Sequence, residues 1–354
     1  MKSYIPLFLV AVLLSGGCGR QSPSPRGEHR SATVSAQDKE KAEQLRFQAA
    51  QEVEKSVPEN AVNLLTKALE YDPTNGQVYR DRGVILVQNE ETDEGIADLS
   101  EAASLIPEDA GVFQFLAIAY SDKHDFKRTI ANYTKAIRLD GGRNPILLGS
   151  RAEAYVAAGD LKRAASDYTE AIAKAQGSVE LTYNFRYQLA LCLLGTGRTE
   201  EAIRELQESA RLNPRFPMAD AKLGLALSRL GRTQEAEAHF AAALRAYNGA
   251  IASQPEQPVY FRGRSEIHRD MGNKTQAEAD AKEADRLEVN RELAFGQLAL
   301  SGHYHDRAIG AYTRALRVDP SNPELYRLRA TAFEMKGNSA RAEEDRKRAT
   351  ELRK

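Results

Sequence analysis

Small residues return along this chain with a period near 34. They mark successive alanine-rich stretches at Ala68, Ala102, Ala136, Ala171, Ser209, Ala243, Ala284, Ala315 and Ala349. The intervals are 34, 34, 35, 38, 34, 41, 31 and 34. Seven residues before each marker lies a second position, small in most copies, from Ala61 to Ala342. Nineteen before it lies a third, occupied by Ala49, Gly83, Ala117, Ala152, Ala190, Gly224, Ser265, Gly296 and Ala330. Pro73, Pro107, Pro214 and Pro320 follow their markers by five residues, where proline ends a helix. Gly159, Gly197, Gly231, Gly272 and Gly337 fall between the two helices of a unit, where a turn needs a permissive backbone. The pattern predicts an all-α chain of nine helix pairs, some eighteen helices, with no sheet from about Lys41 onward.

The register has a packing cause. Two antiparallel helices approach closely only where small side chains face each other, and each pair is then buried by the next. Tyr120, Tyr133, Tyr155, Tyr168, Phe240 and Tyr312 fill the spaces between. With this period and these three small positions, the chain resembles a tetratricopeptide (TPR) array. The resemblance implies a solenoid, a right-handed superhelix of about nine antiparallel helix pairs over residues 38–354. The repeats span about 42–75, 76–109, 110–143, 145–178, 183–216, 217–257, 258–288, 289–322 and 323–354.

Three departures from the regular pattern matter. The 41-residue step equals one repeat plus two helical turns, and predicts a second helix lengthened to roughly 234–253. The 38-residue step predicts a first helix that starts early, near Ser178. The polar stretch from Ala277 to Arg286 predicts a loosely packed repeat and a hinge.

A correlation runs through four repeats. Arg82, Arg151, Arg264 and Arg329 each precede the third small position by one residue, and Asp98, Asp167, Asp280 and Asp345 follow them by sixteen. The other five repeats have neither partner, as with Leu223 and His239. Sixteen residues join the two helices of one repeat across the turn. Arginine's planar fork suits a two-bonded carboxylate contact, so four ion pairs are predicted, each at least partly buried.

The resemblance implies a working groove lined by the first helices. It gives Arg46 and Arg80 in the first two repeats, Gln114 and Ile118 in the third, and Asn184, Tyr187 and Leu191 in the fifth. It adds Ala221 and Leu225 in the sixth, and Arg262 and Arg327 in the seventh and ninth. The middle is small and apolar and both ends are basic. Asn184, Tyr187, Leu191 and Leu225 are expected to be reachable from solvent. Some TPR co-chaperones grip a C-terminal carboxylate with lysines and asparagines at set positions. Four residues after Arg46 and Arg80 stand Ala50 and Val84, so that clamp is not reproduced.

The N-terminus reads as an address. Lys2 precedes an apolar stretch over residues 4–14, then Ser15, Gly16 and Gly17 lead to Cys18. This is a signal-peptide pattern over residues 1–17, with too few apolar residues to span a bilayer. Its end resembles the bacterial lipobox, although Ser15 stands where the family prefers leucine. The resemblance implies lipidation of Cys18, with stable anchoring once two or more chains are attached. Gly19, rather than aspartate, implies the outer membrane facing the periplasm; secretion or inner-membrane anchoring are the alternatives. Residues 18–37 are polar and proline-bearing. They read as a tether with a reach of roughly 25 Å.

Composition narrows the function. The net charge is −1, with 28% charged residues, which argues against nucleic-acid binding. Only Cys18 and Cys192 are present, so no disulfide framework exists, and Cys192 reads as a buried hydrophobe. His303, His305 and Asp306 lie at a turn between helices and are expected to be structural. No phosphate loop, nucleophile elbow or H-E-x-x-H appears. No cofactor and no enzymatic activity are expected. The sequence points to an envelope-anchored scaffold for a protein or peptide, with oligomerisation through the array ends or the long helix as the alternative and an enzyme as a remote third.

Overall fold

The computed structural model describes residues 34–54, 58–175 and 177–353. Among the described residues there are seventeen α-helices and no strand. The signal-peptide and Cys18 readings, and most of the tether, lie outside them. The helices pair in order. The first repeat is α1 (Ala36–Glu54) with α2 (Pro58–Tyr71), the second α3 (Gly76–Gln88) with α4 (Thr92–Leu105), and the third α5 (Ala110–Asp122) with α6 (Phe126–Asp140). The fourth is α7 (Pro145–Ala157) with α8 (Leu161–Lys174); α9 (Val179–Gly195) and α10 (Thr199–Leu212) are the two helices of the fifth sequence repeat. Then come α11 (Pro217–Arg229), α12 (Thr233–Ser253), α13 (Pro258–Asp270), α14 (Lys274–Ser301), α15 (His305–Val318), α16 (Pro323–Met335) and α17 (Ser339–Glu351). No helix among the described residues is long and apolar enough to cross a membrane.

Local chemistry sets the helix ends. Asn75, Asn144 and Asn322 cap first helices with their side-chain oxygens, and Asp125, Asp160 and Asn338 cap second helices. Proline opens α7, α11, α13 and α16 at the first turn, where no backbone donor is needed. The turn inside a repeat needs one residue in the left-handed region. Gly159, Gly197, Gly231, Gly272 and Gly337 supply it with φ between 74° and 83°. Glu90, His124 and His303 hold the same place at φ 69°, 58° and 63°. His303 therefore serves the turn.

The small positions do what their register requires. A Cβ at Gly296 would come within 2.5 Å of the Tyr312 ring, and one at Gly224 within 2.9 Å of Phe240. Tyr133, Tyr168, Phe240 and Tyr312 are buried between the helices of their repeats.

The chain divides into two compact units, Met1–Arg198 and Thr199–Lys354. In the first unit, one continuous apolar cluster runs from Ala42 to Leu147. The second has smaller clusters around Tyr312, Leu325 and Phe333. The lengthened second helix is present as α12, and α9 starts after a Ser178 cap.

One expectation is corrected. The polar stretch from Ala277 to Arg286 is neither a hinge nor the end of a helix. It lies inside α14, 28 residues long, which merges the second helix of the seventh repeat with the first of the eighth. That merger leaves seventeen helices where eighteen were predicted. The cause is local: this junction is three residues short, and no proline or glycine interrupts residues 274–295.

Candidate functional site

The four predicted ion pairs exist, and each is bidentate. Arg82 Nε and Nη2 donate to Asp98 at 2.7 and 2.8 Å, and Arg151 to Asp167 at 2.7 and 2.9 Å. Arg264 donates to Asp280 at 2.8 and 2.6 Å, and Arg329 to Asp345 at 2.8 and 2.7 Å. The four carboxylates are buried. These hydrogen bonds raise each guanidinium above its ordinary value, so the arginines stay charged.

A third contact was not foreseen. The remaining guanidinium nitrogen of each arginine donates backwards to the second helix of the preceding repeat. The acceptors are Thr66, Thr134, Asn248 and Thr313, at 3.1, 3.2, 2.6 and 3.1 Å. Each arginine thus ties three helices together. These arginines are structural and are not offered to a partner.

The basic groove ends are neutralised. Arg46 donates to the buried Asp81 at 2.7 Å and pairs with Glu43 at 2.7 Å. Arg80 pairs with the same Asp81 at 2.8 Å and with Asp109 at 2.8 Å. A carboxylate as buried as Asp81 needs such partners, because an unpaired charge there is costly. Arg262 meets Asp285 at 3.0 Å and also Glu288. Arg327 meets Glu324 at 2.8 Å. The arginines at both ends of the expected groove are thus already paired with carboxylates.

Tyr187 is corrected too. Its residue is 3% exposed, so it packs inside the array and is closed to a partner. Ala221 is likewise buried. A large ring at this place on a first helix removes more apolar area from water by folding onto its neighbours than by facing the groove. Asn184 is exposed, and Gln114, Ile118, Leu191 and Leu225 are half-buried.

The fourth repeat supplies groove-side positions that the sequence reading lacked. Ile146, the equivalent of Asn184, is exposed on α7. So is Glu153, the equivalent of Ile118 and Leu191, and so is Val156 one turn on. The signal was available, since these residues stand at the same distance from Ala152 as Asn184 and Leu191 do from Ala190. Within the first unit, α5, α7 and α9 together offer a mixed apolar and polar surface.

Three other groups lie outside any such surface. Cys192 is buried on α9, and burial pushes its thiol up to about 11. Burial likewise pushes the Tyr133 and Tyr247 hydroxyls up to about 12. These are insulated side chains without the poise of a reactive centre.

The tetratricopeptide repeat family profile matches residues 116–180, 187–251 and 293–352, more than half of the chain. The chain belongs to the tetratricopeptide repeat family. Such repeats generally mediate protein–protein interaction, typically as non-enzymatic scaffolds. A small glutamine-rich tetratricopeptide repeat-containing protein 2 from Mycosarcoma maydis is 33% identical over 105 residues, 28% of this chain and 30% of that protein. U-box domain-containing protein 70 from Oryza sativa subsp. japonica is 28% identical over 258 residues, 69% of this chain and 30% of that protein. The chain thus spans about 30% of the length of these curated relatives. Among solved structures, YrrB, described as a TPR protein with an unusual peptide-binding site, aligns at 20% identity and a TM-score of 0.45, covering 55% of this chain and 95% of that one.

Proposed function

We propose that this chain is an envelope-anchored adaptor that holds a protein or peptide partner against its first helices. The observation that carries the reading is the solvent-reachable set on α5, α7 and α9. Ile118, Ile146, Val156 and Leu191 offer apolar contact, and Gln114 and Asn184 offer hydrogen bonds. Glu153 adds a carboxylate to this surface, and Arg151 on the same helix is already paired with Asp167. Such a mixture suits a peptide read by main-chain hydrogen bonds and a few apolar anchors. Anchoring rests on the apolar run that ends in Gly16, Gly17 and Cys18. Gly19 after the cysteine, in place of aspartate, supports the outer membrane facing the periplasm as the site of anchoring. Bacterial TPR lipoproteins commonly serve as adaptors in envelope or secretion assembly, and the resemblance carries that expectation here.

Two experiments test the proposal. A photo-crosslinking residue at Ile146 or Asn184 should trap a discrete partner in intact cells, and one at the exposed Glu170 on α8 should not. Equal crosslinking from all three sites would remove the groove from the proposal. Separately, Cys18→Ser should release the protein from the membrane fraction. A wild-type chain already found in the soluble fraction would end the anchoring claim.

A further inference from the structure

The continuous helix α14 leaves one face of the eighth repeat bare. In each first helix, three residues form a stacking face: five before the small residue, one before it, and two after it. The arginine contacts to Thr66, Thr134, Asn248 and Thr313 show what this face meets, which is the second helix of the preceding repeat. Accordingly its last member is buried in the second to seventh and ninth repeats, as at Ile85, Cys192, Ile267 and Ala332. The first repeat has no described predecessor, and there the face is Gln44, Gln48 and Gln51, all polar and exposed.

The eighth repeat breaks this rule. Its face is Arg291, Phe295 and Leu298. Its would-be covering helix is the first half of α14 itself, which runs on in line and cannot fold back. Phe295 is 46% exposed and Leu298 72%. Two apolar side chains stand where glutamines stand in the first described repeat. Beside them lies the exposed Tyr304 ring, with the Arg307 guanidinium 5.1 Å from its centre. Arg307 has no carboxylate partner among the described residues.

We propose that this face docks an amphipathic α-helix of a partner protein, laid where a preceding second helix would lie. The interface is continuous in kind with those between repeats of this chain, each of which is filled by a helix. The occupant carries an apolar stripe at helical spacing for Phe295 and Leu298, and an acidic edge for Arg307. Head-to-tail stacking of a second copy does not meet that description. The last helix, α17, turns Glu343, Arg346 and Thr350 outward where covering helices carry apolar residues such as Ile203 and Leu206.

The probe is a labelled synthetic peptide with the sequence of α10, residues 199–212. That helix covers the equivalent face of α11, and it carries four glutamates. Fluorescence anisotropy should show saturable binding to the full chain. Leu298→Glu should weaken it about tenfold or more, because a charge would be buried against the stripe. A scrambled peptide should not bind. Because Leu298 faces solvent, the same substitution should leave the melting temperature unchanged. The proposal is overturned by absent binding, by equal binding to both proteins, or by a fall in melting temperature. It is also overturned if sedimentation shows a wild-type dimer that Leu298→Glu dissociates, since a second copy would then cover the face.

Discussion

The fourth and sixth repeats fill one packing place in opposite ways. In the fourth, Arg151 stands before the small residue and is tied to Asp167 and Thr134. In the sixth, Leu223 stands there, fully buried, and the aspartate's place is taken by His239. His239 turns to Asp220 on the facing helix, with its Nδ1 2.8 Å from the carboxylate. The backbone geometry of the repeat tolerates either solution. The polar one is directional: it requires three partners on three helices and fails as a set. The apolar one depends on removed area and degrades gradually. A family defined by small residues therefore leaves the neighbouring position free to be chosen by chemistry rather than by size.

The largest expected effect comes from breaking the polar solution on one side. Asp167→Ala leaves the Arg151 guanidinium partly buried without its carboxylate. The cost should be about 3–5 kcal/mol in urea unfolding, with amide exchange rising first in α7 and α8. A loss under about 1 kcal/mol would mean that the pair is solvated and contributes like a surface bridge. The apolar counterpart is next. Leu223→Ala deletes a buried side chain and should cost about 3 kcal/mol, the cavity included. Unlike the aspartate variant, it should show no dependence on salt. If salt changes both losses equally, the distinction drawn between the two repeats is wrong.

Much of this was legible in the sequence because it recurs. The 34-residue register fixes the helix pairs, and four coincident Arg–Asp spacings fix the staples. The backward contact was not legible from the same comparison. Its acceptor lies in the neighbouring repeat, sixteen or seventeen residues upstream, and Asn248 stands where Thr66, Thr134 and Thr313 stand elsewhere. The burial of Tyr187 escaped for another reason. Periodicity places a side chain on a face of a helix, but whether a ring leans into the groove or the core depends on the space its neighbours leave. The fused helix α14 did leave a trace, in a 31-residue interval without breakers. Its consequence, an uncovered Leu298, appears only when each repeat's stacking face is compared in three dimensions.

A third measurement asks how dry the apolar type of repeat is. Cys192 belongs to the fifth repeat, where the neighbouring Leu189 holds the place that arginine holds in the fourth. Cys192 is 2% exposed, and burial pushes its thiol up to about 11 from the ordinary 9.0. A raised folded value means that the folded state keeps its proton longer than the unfolded chain. The stability from this group is complete below about pH 9 and is lost as pH rises towards 11. In a Cys18→Ser background, a thiol reagent at pH 8 should label the native protein far more slowly than the unfolded chain. Rapid labelling of the native protein would show that water reaches this interface.

The smallest expected effect is the most informative about the comparison. Converting the fourth repeat to the apolar type with Arg151→Leu and Asp167→Leu together should change stability by within about 1 kcal/mol of zero. Removing both charges avoids the stranded ion that makes the single variant costly, and the desolvation cost of the pair disappears with it. The hydroxyl of Thr134 loses one partner, but it also donates to the Ile130 carbonyl at 2.7 Å, so no buried donor is left unmet. The pair of substitutions should therefore recover most of what Asp167→Ala loses. A double variant as unstable as the single one would mean that the two solutions are not interchangeable. The carboxylate would then be holding the two helices of the repeat at a separation that leucine cannot reproduce.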